Sequence, residues 1–168
     1  YTDITERKHH EREVERQNTR LRALFENFPE PTIAYTFRDG DPYVMDVNEA
    51  FTRRFELDPE TATGECVDDL LVPPEDREEA RHLNDRVLAG DLVDEEVRRR
   101  TPEGIGDFRI RNISVPDDDC IDGYCVYADI TTYKHRERAL ERQNDLLRKS
   151  HAIAAVGAWD YDIVADEP

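Results

Sequence analysis

An α+β fold, one antiparallel sheet with helices gathered on one face, is what three features of this sequence predict. Strand-like alternation falls into two blocks, residues 32–47 and 93–130, separated by a stretch with helical spacing. The 168 residues, 38% of them hydrophobic, suffice for one modest core, that of a domain of about 100–110 residues. The flanks of that domain are near-copies of each other, DITERKHHEREVERQNTRLR from Asp3 and DITTYKHRERALERQNDLLR from Asp129. A long internal period means that a structural unit and its connector are repeated. The chain therefore divides into an exit motif and connector helix (1–20), a domain (21–131), a second connector (132–150) and the opening of a further unit (151–168).

The elements follow in order. Residues 5–27 hold no Gly or Pro and carry Val14, Leu21, Leu24, Phe25 and Phe28 on a narrow seam. Such a helix either pairs with a second copy as a short coiled coil or packs on its own domain. Leu140 and Leu147 repeat the pattern in the second connector. Pro29 and Pro31 stop the first helix, and Thr32–Phe37 and Tyr43–Val47 form a hairpin around Asp39-Gly40-Asp41-Pro42. Asn48 stands where an N-cap is needed, before a helical stripe of Phe51 and Phe55. A short turn after Pro59 and a longer helix from Pro74 to Leu88 follow, the latter facing inward with Ala80, Leu83 and Val87 and closed by Gly90. Three strands remain, Val93–Thr101, Phe108–Val115 and Gly123–Ile130. The middle one changes phase between Ile110 and Ile113, which predicts a β-bulge near Arg111-Asn112.

Charge and cysteine usage exclude several functions. Forty acidic residues against 23 basic ones give a net charge of −17, and nearly all the positive charge is arginine. This is the surface expected of a protein from a salty cytoplasm, or of an ordinary acidic interaction surface. It argues against nucleic acid as a partner. No apolar run approaches the ~20 residues of a membrane span, so no membrane contact is expected of this segment. Cys66, Cys120 and Cys125 form no CxxC pair, so neither a disulfide framework nor a metal site is expected. Nor is there a nucleophile and base in a recognisable pairing, an ATP-binding glycine loop, or a phosphoacceptor motif around His9, His135 or His151; no catalytic residues are expected.

The ordered set Val47-Asn48-Glu49-Ala50-Phe51, Gly64, Asp69-Leu70, Pro74-Glu75-Asp76 and a closing Asp129-Ile130-Thr131 resembles the PAS sensory domain family. The resemblance covers Leu21 to about Thr131. Asp3-Ile4-Thr5 then resembles the exit of a preceding PAS domain, and Gly157–Asp162 the first strand of a following one. Such arrays resemble the sensory regions of archaeal histidine kinases and chemotaxis-type transducers.

What the resemblance implies is a five-stranded sheet cupping a small-molecule pocket. Nearest that pocket are expected Tyr35, Val47, Phe51, Phe55, Leu71, Leu83, Val87, Ile110, Tyr124 and Val126, whose aromatic share suits an apolar or aromatic ligand. Cys66 lacks the Asn, Arg and Gln that hold a flavin in the family's photosensors, and His82 adjoins rather than joins the inward helix face, which argues against haem. Asp129, Ile130 and Thr131 are expected to relay the ligand's state into the helix that follows. Val14, Leu21, Leu24 and Phe28 are the expected dimer seam, with neighbouring PAS and output domains as further partners. The competing reading is a ligand-free dimerisation and spacer module.

Overall fold

Between Thr32 and Asp129 the chain builds one five-stranded antiparallel sheet in a computed structural model that describes residues 2–164. Two units are distinguished, one ending at Ile130 and one beginning at Thr131. The first opens with α1 (Thr2–Glu26), followed by the hairpin β1 (Thr32–Arg38) and β2 (Asp41–Val47). Its two-residue turn takes positive φ at Asp39 (54°) and Gly40 (90°), the combination that matches strand twist and that Asp-Gly adopts at low cost. Asp41 and Pro42 therefore already belong to β2, with Pro42 opposite Phe37.

Four short helices cross one face: α2 (Glu49–Phe55), α3 (Pro59–Ala62), α4 (Val67–Leu71) and, after a 3-10 turn at Pro74–Asp76, α5 (Arg77–Leu88). The chain returns through β3 (Asp94–Thr101), β4 (Gly104–Ser114) and β5 (Gly123–Asp129). The strand order is β2-β1-β5-β4-β3, which puts β5, the last strand, at the centre.

Strand phase differs from expectation at two places. β4 pairs with β5 in unbroken register from Phe108 to Ser114, so there is no bulge at Arg111-Asn112. Asn112 keeps the inward phase of Phe108 and Ile110 and is buried, while Ile113 faces out. A polar residue can hold that place because its side-chain carbonyl accepts the Val93 N–H at 2.6 Å. The irregularity lies instead in the β1–β2 pairing, where Ala34 faces Asp46 and Tyr35 faces Val44, leaving Met45 of β2 as the extra residue. In β5 the inward residues are Gly123, Cys125 and Tyr127; Tyr124 and Val126 face the other side.

The second unit is a single helix, α6 (Thr131–Val164). The strand expected at Gly157–Asp162 is helical: a lone strand leaves its backbone groups unpaired, whereas a helix satisfies them internally. Residues 165–168 of that segment lie outside the described residues. Asp3-Ile4-Thr5, expected as a strand exit, is likewise helical, the first turn of α1.

Candidate functional site

The helices and the inner face of the sheet enclose a cavity of about 50 Å³. β1 supplies Ile33 and Tyr35, α5 supplies Leu83 and Val87, and β4 and β5 supply Ile110, Asn112, Cys125 and Tyr127. Asp68 of α4, Asn84 of α5 and Arg99 of β3 complete a polar side. Of the expected pocket residues, Tyr35, Leu83, Val87 and Ile110 are brought together here. Val47, Phe51, Phe55 and Leu71 are buried in the core beside the cavity and do not line it. Tyr124 and Val126 are on the wrong face, and Tyr124 packs instead on Phe25 of α1 with ring centroids 5.8 Å apart. The expectation failed because β5 reads Tyr-Cys-Val-Tyr: both phases are apolar, and only pairing with β1 and β4 decides which one faces in.

The polar members were missed. Arg99 is 6% exposed, although it sits in the run Arg98-Arg99-Arg100. The alternation starting at buried Val97 was the signal for it, as Phe108 and Ile110 were for Asn112. Gly123 was missed too. A Cβ there would lie 2.6 Å from the Ile113 carbonyl and 2.7 Å from the Tyr35 hydroxyl, so only glycine lets the Tyr35 ring pass across β5. Burial pushes the Tyr35 phenol up to about 12 and the Cys125 thiol up to about 11. Both are therefore neutral near neutral pH. Burial also raises the Asp68 carboxyl, against the hydrogen bond it accepts from Asn84 Nδ2 at 2.9 Å.

A path of contacts leads from the cavity to the end of β5. Tyr127 lines the cavity and packs edge-on against Phe51 and Phe55 of α2 at 6.3 and 5.8 Å. Arg54, on the same helix, donates from Nε to the Asp129 carboxylate at 2.6 Å and from Nη1 to Glu103 at 2.7 Å. Its guanidinium also lies over the Phe108 ring, 5.4 Å from the centroid. The backbone of Ile130 donates to the Asp107 carbonyl at 2.9 Å. Asp129 and Ile130 are thus fixed to the sheet and to α2, and Thr131 is the first residue of α6.

The other singled-out residues are placed as follows. Cys66 is half-buried and forms an isolated bridge with Tyr43. His82 stands exposed on α5, away from the cavity. Val14, Leu21, Leu24 and Phe28 are exposed by 44%, 64%, 70% and 43%. Among the described residues no helix is long and apolar enough to cross a membrane, and no His, Cys, Asp or Glu cluster has metal-holding geometry.

Comparison with known proteins gives the same frame. The family model described as "PAS fold" matches residues 25–135. Among solved structures, a PAS domain of a Colwellia psychrerythraea protein aligns with a TM-score of 0.56 at 19% identity, covering 71% of this chain and 98% of that one. The PAS domain of an HTR-like protein from Haloarcula marismortui aligns at 0.54 and 20%, covering 73% and 99%. The PAS domain of the Cronobacter turicensis quorum-sensing receptor RpfR, in complex with BDSF, aligns at 0.51 and 22%, covering 61% and 95%. No protein with a curated description matches the chain. The ordered motifs, the 2-1-5-4-3 sheet and the family match over most of its length agree: the chain belongs to the PAS fold family.

Proposed function

We propose that this chain is a sensory module that binds a small ligand in the cavity between sheet and helices and passes the bound state along β5 into α6. PAS domains are generally sensory, non-catalytic modules, and some bind small molecules. The observation that carries the relay is the position of α2. That helix presses Phe51 and Phe55 on the cavity residue Tyr127 and, one residue before Phe55, holds Asp129 through Arg54. A ligand that moves Tyr127 changes how α2 sits, and with it the grip on the strand end. The apolar cavity wall supports the expected apolar character of the ligand for one part of it.

The near-identical flanks support a place in a tandem array of PAS domains, within a histidine kinase or transducer working in a salty cytoplasm. The experiment is hydrogen exchange on the first turns of α6, residues 131–138, with and without ligand. Ligand-dependent protection is expected in the parent sequence and its loss in Asp129→Asn; equal responses in both would remove the relay.

A second reading has its own observation, the exposed apolar residues Val14, Leu21 and Leu24 on α1 and Phe28 just beyond its end. We read them as a seam between two copies, compatible with sensing and sufficient on its own for a spacer role. Sedimentation of Leu21→Glu decides: a dimer that becomes monomeric supports the seam, and an unchanged mass rejects it.

A further inference from the structure

The walls of the cavity carry more hydrogen-bond donors than acceptors, and the surplus is buried. Arg99 Nη1 donates to the Arg98 carbonyl at 2.8 Å, but its Nε–H has no acceptor in the protein. Asn112 spends its side-chain carbonyl on the Val93 N–H, and its Nδ2 is left without a partner. The Tyr35 hydroxyl, wedged over Gly123, makes no hydrogen bond of good geometry either, although the Asn112 side chain stands near enough to hold the phenol's pKa down a little against burial. These three side chains are 6%, 5% and 4% exposed, and all three line the same cavity.

The surplus also has a sign. Arg99 is a permanent cation, and no carboxylate among the described residues forms an ion pair with it. Asp68, the acid on the same wall, is engaged by Asn84 Nδ2. An unpaired buried ion is costly by several kcal/mol even after relaxation. Asp68 offsets part of the Arg99 charge across the cavity without touching it; water would meet the donors and leave the rest of the charge, whereas an anion with two oxygen acceptors answers both needs.

From this we infer that the cavity binds a small organic carboxylate, its oxygens taken by the Arg99 guanidinium edge with Asn112 and Tyr35 as further donors, and its compact body against Ile33, Leu83 and Val87. This deepens the proposed sensory reading and rests on it. A volume of about 50 Å³, against roughly 10–15 Å³ of the same kind of space for one water, leaves room for a compact ligand of about the size of acetate or pyruvate. A flat aromatic ring is too large unless α5 moves.

The test follows the thermal unfolding midpoint of the whole chain at constant sodium chloride while sodium acetate, sodium pyruvate or acetamide is added. Acetamide has the shape of acetate without its charge. A saturable rise with a carboxylate and none with acetamide is expected, weakened about tenfold or more in Arg99→Met and by less in Tyr35→Phe. Arg99→Met replaces an unpaired buried ion by an apolar chain, so its own midpoint should not fall; if that variant does not fold, Tyr35→Phe decides, and its unaltered response would overturn the inference. An equal rise with acetamide would keep a ligand pocket and remove the carboxylate. No rise with any of the three overturns the small-carboxylate inference, while the sensory reading stands or falls on hydrogen exchange in residues 131–138. A rise that Arg99→Met retains in full places binding elsewhere and overturns the assignment.

Discussion

Helix α1 enters the sheet through a joint built on a buried amide, whereas β5 ends in a joint built on a half-exposed ion pair. At the entry, Asn48 is fully buried and makes four hydrogen bonds. Its carbonyl accepts the N–H groups of Thr32 and Phe51, both at 2.9 Å, and its Nδ2 donates to the carbonyls of Glu30 at 3.0 Å and Phe28 at 3.3 Å. One neutral side chain thus ends the α1 segment, starts β1 and caps α2. At the exit, Arg54 and Asp129 have side chains 22% and 34% exposed. Neutral buried hydrogen bonds do not respond to salt or pH, while a solvent-exposed ion pair responds to both. The entry joint is thus insensitive to salt and pH and the exit joint sensitive to both, the contrast that the proposed relay calls for.

The two copies of the repeated segment make the same point. Asp3-Ile4-Thr5 and Asp129-Ile130-Thr131 are identical in sequence, yet the first lies within a helix and the second spans a strand end and a helix start. Asp129 is a strand residue because Phe108 pairs with it and Arg54 holds its carboxylate. No strand pairs with Asp3 among the described residues, so its backbone finds partners in a helix. The tertiary contacts, and not the motif, set the conformation.

The largest effect expected is at the entry joint. Asn48→Ala removes all four bonds and leaves the Thr32 N–H buried without a partner, so a loss of about 3 kcal/mol is expected from denaturant unfolding. The loss should be the same at low and high salt. A loss below about 1 kcal/mol, within the range of a single surface pair, would erase the contrast between the joints.

At the exit, Arg54→Ala should cost only about 1 kcal/mol through the Asp129 pair, and less at high salt. The pH dependence has a definite sign. The hydrogen bond from Arg54 holds the Glu103 carboxyl below the usual glutamate range. A depressed carboxyl stabilises the fold above its unfolded value and loses that contribution as pH falls through its folded value. The difference between the parent chain and Arg54→Ala should therefore shrink in acid, below about pH 4. A difference that stays constant from pH 7 to pH 3 would mean that Arg54 acts through packing on Phe108 and not through its charge.

How much of this was legible in sequence follows the same physical division. Local chemistry was readable: the Asp39-Gly40 turn, the Asn48 cap and the end of α5 each depend on residues within a few positions. The five-stranded antiparallel sheet followed from the family resemblance, and its strand order came only with the structure. What could not be read was decided by pairing across the sheet. Tyr124 and Val126 look as inward as Cys125 and Tyr127 until β1 and β4 fix the register. Arg99 and Asn112 look like surface residues because polar side chains usually are. A bulge near Arg111-Asn112 is needed only if Ile113 and Val115 face the core with Phe108 and Ile110, and Ile113 instead is exposed. Of the residues that line the cavity, the apolar Leu83, Val87 and Ile110 and the aromatic Tyr35 were legible in the sequence, and the polar Asp68, Asn84, Arg99 and Asn112 were not.

The smallest effect is the most informative about the relay, because both joints use the same helix. Asn48 caps the start of α2 and Arg54 sits one residue from its end, so seven residues span the distance between entry and exit. If α2 moves as a rigid strut, loosening one end changes the geometry at the other. The double variant Asn48→Ala/Arg54→Ala should then be less destabilised than the two single losses added together, by about 0.5–1 kcal/mol, since a helix already released by the first change has less grip on Asp129 to lose. Repeating the cycle at high salt should reduce the coupling, because only the Arg54 end is screened. Additivity within 0.3 kcal/mol, the usual result for independent sites, would separate the joints energetically. It would leave β5 itself, from Cys125 through Tyr127 to Asp129, as the only covalent route from cavity to α6.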